Sequence, residues 1–119
     1  MSHSIEKQSI KKIELLQQLL QSQKAAQSGH QWTFLTNHAH VLLCLAANNT
    51  LRMRDIATII GITERTVQQI VRDLSDGGYV ELSREGRCNR YEIDQTISLR
   101  HPIEKHKTIG DLIDLIFAE

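Results

Sequence analysis

A chain of 119 residues, 40 % hydrophobic and 24 % charged, has the length of one compact domain and the composition of an ordinary globular protein. No apolar run reaches the roughly 18 residues a spanning helix needs. The N-terminus MSHSIEKQSIKKIELLQQ lacks the apolar core and small-residue cleavage site of a signal peptide, so a cytoplasmic location is expected. The formal net charge is zero, which argues against a simply basic protein, but the cations are unevenly placed. All eight arginines lie between Arg52 and Arg100 and all six lysines lie outside that span. Glu64, Asp73, Asp76, Glu81 and Glu85 share the arginine-rich stretch, so any basic patch there must come from geometry.

In chain order, residues 5–27 read as a surface helix, with Ile5, Ile10, Ile13, Leu16, Leu19 and Leu20 near helical spacing among Lys, Glu and Gln. Ser28-Gly29 ends it, and HQWTFLT follows as a connection anchored by Trp32 and Phe34. A second helix starts near Asn37, whose side chain can cap it. HAHVLLCLAA is apolar nearly all round, as a central buried helix is. Asn48 and Asn49 stop it, in the left-handed conformation asparagine tolerates. Leu51 and Met53 form a brief strand or a lead-in. Arg54 to Ile60 then make a two-turn helix with Ile56, Ala57 and Ile60 inward and Asp55 at its positive end. Gly61 ends that helix, Ile62 plugs the core, and Thr63 caps the next helix.

The following helix carries two faces. Val67, Ile70, Val71 and Leu74 recur at i, i+3, i+4 and i+7, and at about 100° per residue the opposite side holds Arg65, Gln69, Arg72 and Asp76, with Gln68 on its flank. Glu64 suits the first-turn dipole. After Gly77-Gly78, YVELSR and RYEID alternate as strands around the turn EGRCN. An irregular QTISLRHPIEKHK leads to TIGDLIDLIFAE, where Thr108 is a cap and Ile109, Leu112, Ile113, Ile116 and Phe117 form a wide apolar stripe.

The expected fold class is mainly α with a small β-hairpin (α+β). The order helix, short strand, helix, tight glycine turn, helix, hairpin is that of a winged helix-turn-helix with added N- and C-terminal helices. The expected organisation is an N-terminal amphipathic dimerisation helix over 1–29, a winged helix-turn-helix over 30–100, and over 101–119 a C-terminal helix for dimerisation or core cover. A major groove about 12 Å wide admits one helix, propped by the helix before it.

LRMRDIATIIGITERTVQQIVRDLSDGGYVELSREGRCNRYEI resembles the winged helix-turn-helix transcription regulators of the MarR-like and ArsR-like group. With LRHPIE added, it is similar to a compact set of small MarR regulators, over about residues 33–103. The wing reads Arg-Glu-Gly-Arg instead of the Asp-x-Arg common in MarR wings, and no paired-cysteine metal box of the ArsR kind is present. The resemblance implies that Arg65, Gln68, Gln69 and Arg72 face base edges and flanking phosphates. It places Thr63 and Thr66 on phosphate or a thymine methyl, Arg54 on the backbone, and Arg84, Arg87 and Arg90 as wing contacts.

Other features carry less. His38 and His40 point about 200° apart on a helix and cannot share an ion, while His101 and His106 flank a proline. No metal and no cofactor are expected. Two cysteines are too few for a disulfide framework and too far apart for a zinc knuckle. Cys44 reads as a buried small apolar residue and Cys88 as an exposed thiol by the wing tip. No nucleophile has a recognisable base, there is no phosphate loop, and Asp111 and Asp114 read as a solvated face, so no enzyme is expected. The terminal stripes exceed what one small domain can bury, which points to a homodimer through Ile13, Leu16, Leu20, Ile109, Leu112, Ile113 and Ile116. The expected function is sequence-specific binding of double-stranded DNA at a palindromic operator, with no membrane partner and with room for an unknown small-molecule effector. The alternative is a winged-helix protein-interaction module that does not bind DNA, which zero net charge and Glu85 among the wing arginines favour.

Overall fold

The computed structural model describes Glu14, Gln17, Gln18 and residues 32–118. Among residues 32–118, helices and a two-stranded antiparallel hairpin follow in the order α1 (Asn37–Ala47), α2 (Met53–Ile60), α3 (Glu64–Asp76), β1 (Val80–Glu85), β2 (Cys88–Ile93) and α4 (Ile109–Phe117). Helix α1 is the centre: Val41, Leu42, Leu43, Cys44 and Leu45 are all buried. Five consecutive buried residues cover every side of a helix, which requires neighbours all round. Residues from α2, α3, the hairpin and α4 complete the same core.

Thr36, not Asn37, caps α1. Its backbone is extended, and its Oγ1 accepts from the Ala39 N–H at 3.3 Å. Asn37 is already helical and its Oδ1 accepts from the His40 ring instead. Nor does a left-handed asparagine end α1. Asn48 is extended, with φ −152° and ψ 102°, and its Oδ1 takes the Thr50 N–H and hydroxyl at 3.1 and 2.8 Å. That side-chain turn replaces the conformation expected of it. Leu51 and Arg52 form no strand. One bond, from the Tyr91 N–H to the Asn49 carbonyl at 3.0 Å, ties this lead-in to β2.

In α2 the inward residues are Ile56, Ala57 and Ile59, with Ile60 half-buried. Gly61 adopts φ +85°, and the N–H groups of Gly61 and Ile62 both bond the Ala57 carbonyl. This left-handed closure needs no Cβ at Gly61. It reverses the chain in two residues, so that Thr63 starts α3 by accepting from the Thr66 N–H at 3.1 Å. Val67, Ile70, Val71 and Leu74 form the buried stripe of α3. The hairpin turns through only Gly86-Arg87, because Glu85 pairs with Cys88, rather than through five residues. Gly86 has φ +62° and Arg87 is not positive, the pattern of a type II′ turn.

Beyond β2 the chain is less irregular than its sequence suggests. Ser98 and Thr108 form an isolated bridge, closing residues 99–107 into a loop, and the Ile109 and Gly110 N–H groups bond the Ile97 and Gln95 carbonyls. Thr108 and Asp111 then make a reciprocal capping box for α4. Ile109, Ile113 and Phe117 of α4 are buried in the chain's own core. Ile109 and Ile113, expected at a dimer interface, are thus buried within the chain's own core. Leu112 is half-buried, while Leu115 and Ile116 are 77 % and 42 % exposed. Ile13, Leu16 and Leu20 lie outside the described residues.

Candidate nucleic-acid interface

The apolar stripe of α3 fixes what its other side can offer. With Val67, Ile70, Val71 and Leu74 anchored inward, Arg65, Gln68, Gln69, Arg72 and Asp76 are all exposed. Arg65, Gln68 and Arg72 make no hydrogen bond or ion pair to another side chain among the described residues. Their forks and amide are open to an incoming acceptor or donor. Arg54, on α2, is exposed as well. Thr63 caps the helix as expected, and its hydroxyl lies 2.8 Å from that of Thr66, with which it shares a hydrogen bond. They order the first turn of α3 before any contact to phosphate.

Gln69 is held. Its Nε2 donates to the Asp73 carboxylate at 3.2 Å, one turn on, and the other carboxylate oxygen accepts from His38 Nε2, at the start of α1, at 2.8 Å. These bonds, His38 first and Gln69 second, hold the Asp73 carboxyl below its ordinary range. The i, i+4 spacing of Gln69 and Asp73 was legible in the sequence; the His38 partner, 35 residues away, was not.

The wing arginines are mostly engaged with their own hairpin. Arg84 donates from Nε to Asn89 Oδ1 at 3.3 Å, and Arg90 meets Glu85 at 3.1 Å. The second pair follows from register: Glu85 opposes Cys88, so Arg90 is its diagonal neighbour on the same face. Arg87, in the turn, has no such partner among the described residues. Cys88 is exposed beside it, whereas Cys44 is buried and its thiol is pushed up to about 12 by loss of solvent.

A groove of about 750 Å³ opens between α1, the C-terminal end of α3 and residues 99–112. Leu42, Leu74, Tyr79, Leu99, Ile109 and Leu112 line it, with His38, Asp73, Arg100 and Glu104 also on its wall. The Arg100 guanidinium sits 5.9 Å from the centre of the Tyr79 ring, within the range of a cation–π contact. Room for an effector was expected from the terminal helices, but the lining residues were not legible, because the walls come from four separate segments.

A glycine-closed pair of helices, the second exposing a polar face beside a two-residue-turn hairpin, defines a winged helix-turn-helix. Residues 33–87, which run from the lead-in of α1 through the wing turn, match the model of the MarR family; over that stretch the chain is similar to a MarR-like winged-helix transcription regulator, of a family that generally binds DNA. No curated protein and no solved structure matches the chain. No helix among the described residues is long and apolar enough to cross a membrane.

Proposed function

We propose that this chain is a sequence-specific regulator that binds double-stranded DNA as a homodimer in the cytoplasm, with α3 in the major groove. The observation that carries the reading is the outer face of α3, where Arg65, Gln68 and Arg72 stand exposed and unengaged on a helix anchored by four buried residues. Arginine's planar fork suits guanine edges and phosphates, and glutamine suits adenine. A second copy is supported by apolar groups the chain leaves uncovered: Trp32 at 78 %, Phe34 at 91 %, Ile103 at 79 % and Leu115 at 77 % exposure. A symmetric pair would set its two α3 helices about 34 Å apart, which calls for a palindromic site. The groove beside the end of α3 supplies space for a small-molecule effector.

The test is selection from a random double-stranded DNA pool at near-physiological salt, followed by titration of the enriched site against salt. A palindrome whose log affinity falls linearly with log salt supports the reading. No enrichment, with weak and salt-insensitive binding, favours a protein-interaction module instead. That second reading draws support from the wing, where Arg84 and Arg90 are already paired, and from the eight acids that match the eight arginines between Arg52 and Arg100.

A further inference from the structure

We infer that Asp73 is a positioning residue that fixes how Gln69 reads a base, and that His38 holds Asp73 in place from α1. The inference rests on the groove reading of α3 proposed above. Its starting point is chemistry rather than charge. An ionised carboxylate only accepts hydrogen bonds. The Gln69 amide, 3.2 Å away, must therefore turn its NH₂ toward Asp73, and of the two ways the amide can be turned only one survives. With one N–H so engaged, the carbonyl Oε1 and the second N–H remain. An acceptor beside a donor is the pattern that matches adenine, whose N6 amino group donates and whose N7 accepts in the major groove.

An exposed glutamine with three freely turning side-chain torsions loses rotamer entropy when it meets a base. An intramolecular partner reduces that loss by holding the side chain near its bound shape beforehand. The Asp73 side chain is itself half-exposed, as is that of His38, so each is held by the bond between them rather than by burial. The 2.8 Å bond from His38 Nε2 supplies the second point of attachment, and it comes from α1, the most buried helix of the domain. A neutral ring with its proton on Nε2 can make this bond, and a charged ring makes it more strongly. The chain of bonds runs from the central helix to the carboxylate to the base-reading amide.

This arrangement predicts an unusual pairing of effects. Asp73 is an anion on the face expected to meet phosphates, so removing it reduces repulsion. Asp73→Ala should leave binding to random-sequence DNA equal or tighter, while weakening selectivity at a single base. A merely structural residue would lower both together.

The experiment is base-resolved selection from a random double-stranded pool with the wild-type chain and the variants Gln69→Ala, Asp73→Ala, Asp73→Asn and the Gln69→Ala/Asp73→Ala double variant, with folding of each checked by circular dichroism. The wild type is expected to prefer adenine at one position of each half-site. Gln69→Ala and Asp73→Ala should each reduce that preference by about fivefold or more, and at no other position. The double variant should lose nothing further there. Asp73→Asn has one oxygen where the carboxylate has two; His38 takes it, the new NH₂ meets Gln69 and turns the amide over, so this variant too should lose the preference. Loss at that position in Gln69→Ala but not in Asp73→Ala overturns the inference and leaves the DNA reading standing, as does a site in which Gln69→Ala changes no position or changes one that does not prefer adenine. Failure of the wild type to enrich any site overturns both.

Discussion

Helix α3 and the wing are both rich in arginine, yet they hold it in opposite ways. On α3, Arg65 and Arg72 extend from a helix whose far side is buried, and neither is paired with another side chain among the described residues. On the wing, Arg84 and Arg90 are tied to Asn89 and Glu85 of the same hairpin, and Arg87 alone of the three is unengaged. Counting cations therefore says little about an interface. A guanidinium already bonded to a neighbour must exchange that bond for a phosphate, and the gain is the difference between two similar interactions. An unpaired one on a fixed helix exchanges only water.

The largest effect is expected from removing the support under α3. Ile70→Ala leaves a cavity in the stripe that anchors the helix and should cost about 2–5 kcal/mol of stability, read as a lower midpoint in urea. An unshifted midpoint would show that the outer face does not depend on the inner one. Next in size come the unpaired arginines. Arg65→Ala should weaken binding to a selected site by about 1–3 kcal/mol with the melting temperature unchanged, whereas Arg90→Ala should cost much less. Equal losses from the two would erase the distinction drawn between helix and wing. A smaller effect, of the opposite sign, is expected from Glu85→Gln, which releases Arg90: affinity should rise, and the salt slope should steepen by up to about one. The smallest effect is on stability against pH. The Asp73 carboxyl is held below its ordinary value chiefly by the His38 and Gln69 bonds, Asp94 by Thr96, and Asp111 by the Thr108 cap. Groups with lowered values in the fold bind protons more readily when unfolded, so their contribution is complete above about pH 4 and is lost as pH falls through the folded values. Denaturant midpoints measured from pH 6 down to pH 2 should decline through that window, and Asp111→Asn should flatten part of the decline.

Much of this was legible in the sequence, and what was missed has a common cause. The two-faced periodicity of residues 64–76, the glycine at 61 and the threonine caps at 63 and 108 are local signals, and each is where its spacing placed it. The misplacements at Thr36 against Asn37, and in the conformation of Asn48, arise where neighbouring residues have similar side chains and only the path of the backbone decides which one caps. The pairing of Arg90 with Glu85 was hidden because it depends on a turn of two residues rather than five. The inward face of α4 was hidden for a related reason: its stripe is wide enough for two partners, and only the folded core shows that Ile109 and Ile113 are buried within the chain. His38 and Asp73 are joined purely by the packing of α1 against α3, which no periodicity records.

Cys44 is enclosed in the core with its thiol raised to about 12, so near neutral pH it offers almost no thiolate to an electrophile. Cys88 stands exposed at the first position of β2, immediately after the wing turn. Among the described residues the native chain thus carries one accessible attachment point for a maleimide dye or spin label, at the tip of the element whose contact with DNA is in question, and it can be used without changing a single residue.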